Sequence, residues 1–184
     1  MNQTNYSQPT ILHSRGLPAV STSVSSSLQN NAWLNLHNDA RKNAGVGPLV
    51  WNDNLANDAQ NYANKCIFKH SDVAQNGYVG ENISQGVPAN KYNSINTIFT
   101  GWMSERNNCP SSDPYKIGHY TQVINPRVTQ VGCGCTLCDR TSGLNPENDG
   151  IICVCRYDQI QNLNEIHCQD YYQEIPSDAI PLKG

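Results

Sequence analysis

Cysteine is the residue type that offers this chain the most chemistry. The eight cysteines fall at 66, 109, 133, 135, 138, 153, 155 and 168. Cys133-x-Cys135-x2-Cys138 and Cys153-x-Cys155 gather five sulfurs into two groups, and Cys-x2-Cys is a spacing that chelates zinc. The same residues suit disulfides in an oxidising compartment. Opposed residues of an antiparallel pair share one sum of residue numbers. Cys133 with Cys155 and Cys135 with Cys153 give the same sum, so one register of segments 129–135 and 151–157 sets both pairs face to face. Positions two apart share a face, which would put both bridges on one side of a sheet. Opposed Cα atoms lie ~4.5–5.5 Å apart, within disulfide reach. Spacing alone leaves zinc and paired bridges both open.

Five histidines are the other candidates. His13 and His167 lie in polar end segments and take no role. By its own neighbours Trp33, Leu36 and Ala40, His37 reads as a packed histidine on a helix. His119 sits where a strand could start. Glu81 could bond backbone around Gly80 and Asn82, and Glu105 beside Arg106 reads as a solvated helix end. No His-Glu-x-x-His pair is present, and no nucleophile shows a triad in sequence.

These side chains need elements to hold them. Residues 1–27 are polar and rich in Ser and Thr, an arm that builds no core alone. A helix follows from an N-cap at Ser26 or Ser27, with Leu28, Ala32, Trp33, Leu36 and Ala40 at helical spacing and Gly45 as its stop. Trp51-Asn52-Asp53 opens a second helix that buries Leu55, Ala59, Tyr62, Ala63 and Cys66. Residues 67–91 read as loop with one short strand near Glu81-Asn82-Ile83, and a third helix covers 92–106. Three β-like segments follow, at 119–124, 129–135 and 151–157. The turn-rich run 143–150 separates the last two. Helices first and strands late make an α+β domain over 28–160 with an antiparallel sheet. Residues 161–184 form a tail.

Composition narrows the function classes. Twelve Lys/Arg against fifteen Asp/Glu give a net charge of −3, which excludes an overall electrostatic attraction to nucleic acid. No stretch approaches the ~20 apolar residues of a membrane helix. The first twenty residues lack the basic start and apolar run of a secretory signal, so a mature chain, another export route or virion display is expected. Asn2, Asn5 and Asn82 head glycosylation sequons in a chain holding 24 Asn.

Six segments occur in an order that resembles the CAP superfamily of cysteine-rich secretory proteins, antigen 5 and plant pathogenesis-related proteins. They are His37-Asn38-x-x-Arg41; Trp51-Asn52-Asp53-Asn54-Leu55-Ala56 running into Ala59-Gln60-Asn61-Tyr62-Ala63; His70-Ser71; Gly80-Glu81-Asn82-Ile83; Trp102-x-x-Glu105; and Gly118-His119-Tyr120-Thr121-Gln122-Val123 followed by Val131-Gly132-Cys133-Gly134. The resemblance implies a three-layer α-β-α sandwich with a central antiparallel sheet, braced by disulfides. It implies a cleft of two His and two Glu, carried onto His37, Glu81, Glu105 and His119, with His70 and Ser71 as structural residues. It also implies Cys66–Cys138 and Cys133–Cys155. Cys135–Cys153 and Cys109–Cys168 are then the remaining pairs, the second tying the tail. Departures stand at Ile124-Asn125-Pro126, where the family usually has Trp, at Ile117, where it often has Cys, and after Tyr157.

Three roles follow as expectations. The first is a secreted or surface-displayed, non-enzymatic binding module for a lipid, sterol, fatty acid or protein partner. Its ligand loop would be Phe68, Tyr78, Val79, Val87 and Tyr92, and its His/Glu cleft would be able to hold zinc or another divalent cation. The second is a metal-dependent hydrolase or protease using His37, Glu81, Glu105 and His119, with Glu81 and Glu105 as the catalytic candidates. The third is a structural surface or virion protein.

Overall fold

The computed structural model describes residues 22–86, 95–109, 113, 116–138 and 150–160, with side chains from residue 28 onward. Helix α1 (Thr22–Asn43) comes first, then β1 (Val50–Trp51), α2 (Asp53–Ala63), α3 (Asp72–Gln75), β2 (Gly80–Gly86) and α4 (Ile95–Ser104). A 3-10 turn (Glu105–Asn108), α5 (Gly118–Ile124), β3 (Gln130–Cys138) and β4 (Gly150–Tyr157) complete it. The sheet order is β1-β3-β4-β2, antiparallel except for the parallel pair β1–β3.

Alternation along the strands builds the two outer layers. Even-numbered β4 residues Ile152 and Val154 face α2, where they join Ala59, Ala63, Ile83 and Cys138. Odd-numbered Cys153, Cys155 and Tyr157 face α1, α4 and α5, in a core with Trp33, Phe99, Trp102 and Val123. The α2 layer sits unusually close. A Cβ at Gly132 would lie 2.1 Å from Ala56 N, and one at Gly134 would lie 2.5 Å from Gln60 Cα. The backbone of α2 therefore requires glycine at both β3 positions.

The ladder pairs Cys133 with Cys155 and Cys135 with Cys153, and both pairs are disulfides with Cα–Cα distances of 4.1 Å. Cys66–Cys138 spans 5.7 Å on the α2 side. Cys109 is disulfide-bonded as well, and its partner lies outside the described residues, as does Cys168. Sulfurs consumed in disulfides provide no thiolate for the zinc alternative.

Several local expectations need correction. Segment 119–124 is helix α5, not a strand, although Tyr, Thr, Val and Ile favour strands. Its first N–H groups find acceptors from outside: Glu105 Oε2 accepts from His119 N at 2.8 Å and Tyr120 N at 3.1 Å. Helix α1 starts at Thr22, inside the expected arm, because nothing in Ser23–Ser27 breaks a helix. Its buried stripe is Trp33, His37 and Arg41, leaving Leu28 65% exposed. The third helix passes into the 3-10 turn at Glu105, and residues 92–94 lie outside the described residues. The loop 67–91 contains α3 and the full-length strand β2.

Other expectations hold. Asn52 caps α2 by accepting from Asn54 N and Leu55 N. Gly45 ends α1 with φ +71°.

Candidate functional site

The segment His37-Asn38-x-x-Arg41 is a latch rather than a cleft wall. Asn38 brackets Leu49, donating to its carbonyl at 3.1 Å and accepting from its N–H at 2.7 Å. Arg41, 1% exposed, donates to the carbonyls of Gly47, Val123, Asn125 and Val128. His37 is 0% exposed and both ring nitrogens are engaged. Nδ1 donates to Trp33 O at 2.7 Å, so Nε2 is left to accept from the Tyr157 hydroxyl at 2.9 Å. The Phe99 ring lies edge-on at 4.8 Å. Burial is the main cause that lowers the imidazole pKa to about 4, the Trp33 carbonyl opposing it and the Arg41 charge adding to it. The expectation that His37 lines a cleft with Glu81, Glu105 and His119 is therefore corrected. It is a neutral core histidine, as its helical neighbours suggest.

The imidazole beside Glu81 is that of His70, not of His37. Its Nδ1 lies 2.9 Å from Glu81 Oε1, with the imidazole 54% and the carboxylate 1% exposed. Glu81 is held on every side. Ser71 donates its N–H at 3.0 Å and its hydroxyl at 2.7 Å, and Arg156 Nη1 stands 3.3 Å away. Arg156 is the residue directly opposite Glu81 in the β2–β4 ladder. Its Nε lies 3.0 Å from Asp58 Oδ2, and its guanidinium lies 5.5 Å from the Tyr62 ring centroid. Burial raises the Glu81 pKa, but hydrogen bonds from His70 and Ser71 and the Arg156 charge outweigh it and hold the carboxyl below its ordinary value. Arg156 and Asp58 belong to no pattern that could be read as a site. The adjacency of His70-Ser71 to Gly80-Glu81 in the ordered motifs is the signal that could have found this pair.

The second pair is His119 and Glu105. Nδ1 lies 2.5 Å from Glu105 Oε1, and Nε2 lies 3.2 Å from the carbonyl of Ile83 on β2. Both neighbours are acceptors, so both contacts are hydrogen bonds only when each nitrogen carries a proton. The ring stacks on Trp102 at 5.7 Å. Trp102 Nε1 is buried without a hydrogen-bond partner among the described residues. Asn82, 1% exposed, donates to His119 O and to the Tyr157 hydroxyl, so its amide is closed to a glycan in the folded protein. Asn2 and Asn5 lie outside the described residues.

Edge strand β2 joins the pairs, since Glu81 and Ile83 both belong to it. Among the described residues, the one group of three His, Cys, Asp or Glu ligand atoms within 4.8 Å of one another is His37, Cys133 and Cys155. There the sulfurs form a disulfide. Glu81, Glu105, His70 and His119 form no such group of three among the described residues. Of the expected ligand loop, Phe68 and Tyr78 are 53% and 76% exposed, and Val79 is half-buried. Val87 and Tyr92 lie outside the described residues. No described helix is long and apolar enough to cross a membrane.

The comparisons agree with this architecture. The family model described as CAP: Cysteine-rich secretory protein family matches residues 34–157. Pathogenesis-related protein 1A1 of Solanum lycopersicum is 36% identical over 136 residues, covering 68% of this chain and 69% of its own. Fruiting body protein SC14 of Schizophyllum commune is 31% identical over 153 residues, covering 81% and 67%. The crystal structure of MpPR-1i superposes with TM-score 0.57 at 22% identity, over 74% of this chain and 91% of that one. The crystal structure of NaASP2 with Zn2+ superposes with TM-score 0.59 at 18% identity, over 72% of this chain and 80% of that one. The structural matches speak to the fold, and the family model and sequence relatives to descent: this chain belongs to the cysteine-rich secretory protein (CAP) family.

Proposed function

We propose that this protein is an extracellular, non-enzymatic binding module that takes an amphipathic ligand on the surface around residues 67–79. The observation that carries this reading is the use to which the two Glu side chains are put. Glu81 is engaged by Ser71, His70 and Arg156, and Glu105 by two backbone N–H groups and His119. A general base needs a lone pair free for substrate, and most of these are engaged by the protein's own donors. Meanwhile Phe68 and Tyr78 face water from a segment fixed by the Cys66–Cys138 bridge. The disulfides and the pathogenesis-related relatives support an oxidising, extracellular setting.

The test is displacement of a fluorescent fatty acid or sterol probe. Glu105→Gln should leave affinity within about twofold, whereas the double change Phe68→Ser and Tyr78→Ser should weaken it about tenfold or more. Peptidase or esterase turnover that vanishes in Glu105→Gln, in protein that stays folded, would replace this reading with the hydrolase.

A divalent cation on the imidazoles is the second reading. The observation favouring it is that Glu81 fixes His70 through Nδ1, which leaves Nε2 of a half-exposed ring to face outward. Calorimetry with zinc would test it: binding abolished by His70→Ala and untouched by His37→Gln is the outcome it requires.

A further inference from the structure

Exposed large hydrophobic residues are unevenly spread over this protein. Of the eight among the described residues, Ile67, Phe68, Val73 and Tyr78 fall within one short segment. That segment is built stiffly. Cys66 takes φ +56°, rare for a residue with a side chain, and is bridged to Cys138. Tyr62 Oη donates to Lys69 O at 2.7 Å, and Gln75 Nε2 donates to His70 O at 2.6 Å. Ser71 is fastened to Glu81, and Tyr78 N donates to Val73 O at 3.0 Å. A disordered loop exposes apolar side chains by default, but a pinned one holds them out at the cost of their contact with water.

Charge then distinguishes the occupant. Lys65 and Lys69 are exposed and flank Ile67 and Phe68, and Asp72 is the one acidic residue between 65 and 78. The chain as a whole carries −3, so this local excess of positive charge runs against the rest of the molecule. Aromatic and aliphatic side chains flanked by lysine are what an anionic bilayer surface accepts, the rings at headgroup depth and the ammonium groups on the phosphates. The carbonyls of Lys69 and His70 are already taken, so the segment offers side chains rather than a backbone edge for a peptide strand.

We propose that residues 65–78 dock this protein on an anionic phospholipid bilayer, with Ile67, Phe68 and Tyr78 entering the interface and Lys65 and Lys69 meeting its charge. The proposal rests on the binding reading above and narrows its ligand to a membrane surface.

Vesicle flotation with the disulfide-intact full chain tests it. Phosphatidylcholine vesicles are compared with vesicles also containing phosphatidylserine. Binding should require phosphatidylserine and fall about tenfold or more in Lys65→Glu with Lys69→Glu. It should weaken similarly at high salt and in Phe68→Ser with Tyr78→Ser. Leu137→Ser, which removes an exposed leucine elsewhere, should leave it unchanged. Equal binding to both vesicle types, or no loss in the lysine variant, overturns the proposal. Binding of a soluble fatty acid with none to either vesicle also overturns it while the parent reading stands. Failure of fatty acid, sterol and vesicles together removes both.

Discussion

The two histidine–glutamate pairs look alike in sequence and differ in how the protein holds them. Glu81 is 1% exposed, lies opposite Arg156 in the sheet and is tied to Ser71, so its charge is compensated within the α2 layer. Glu105 is 19% exposed and spends one oxygen on the N–H groups that start α5. The first pair is a buried electrostatic clasp with an imidazole at its outer end. The second is a helix anchor whose imidazole turns back onto Ile83. Similar residue types have become parts of the frame by different routes, which is why the pairs should respond differently to substitution.

Removing the bridge on the α2 side and breaking the clasp should have the two largest effects. Cys66–Cys138 closes a separation of 72 residues, and Cys66→Ser with Cys138→Ser should cost about 4 kcal/mol in the chain-entropy model. Removing Cys135–Cys153 should cost less, because Cys133–Cys155 already closes nearly the same loop. Urea denaturation of both variants checks the order. Arg156→Met should cost about 3–5 kcal/mol by leaving Glu81 buried without its cation. A loss below about 1 kcal/mol would mean that the clasp is solvated and the contrast between the pairs is false.

Acid should expose the core histidine next. His37 has a folded pKa of about 4 against 6.5 unfolded, so the unfolded chain binds the extra proton between those values. Its contribution is complete above pH 6.5 and is lost as pH falls toward 4, by about 3 kcal/mol. Glu81, whose pKa is also lowered, adds a loss that begins below its ordinary value of 4.5 and continues through its folded one. Stability measured across this range in wild type and His37→Gln should show the slope between pH 6.5 and 4 flattened in the variant. The smallest effect should be Glu105→Gln, about 1–2 kcal/mol, since the amide keeps an acceptor for α5.

What could be read beforehand was whatever depended on period and register. The sum rule placed both cysteine pairs of β3 and β4, Asn52 announced α2, and Gly45 ended α1. Contacts distant in sequence were not legible. Helix α5 is written in strand-forming residues and begins where Glu105 receives its N–H groups from another element. His37 is the instructive case. Its helical neighbours already marked it as core, and the motif assignment displaced that local reading. His70 reads in sequence as a structural residue because it lies in an exposed stretch without periodicity, and its pairing with Glu81 is made across a turn. Arg156 was invisible because charge on a central strand resembles surface until its partners are known.

We propose that the Glu side chains are frame and that the surface at 67–79 is the contact. Amide chemical-shift mapping during titration with a soluble amphiphile tests it directly. Saturable shifts concentrated at residues 65–79 are expected, with Glu105, His119 and Tyr120 nearly still. Shifts centred on Glu105 and His119, with residues 65–79 unmoved, would contradict it.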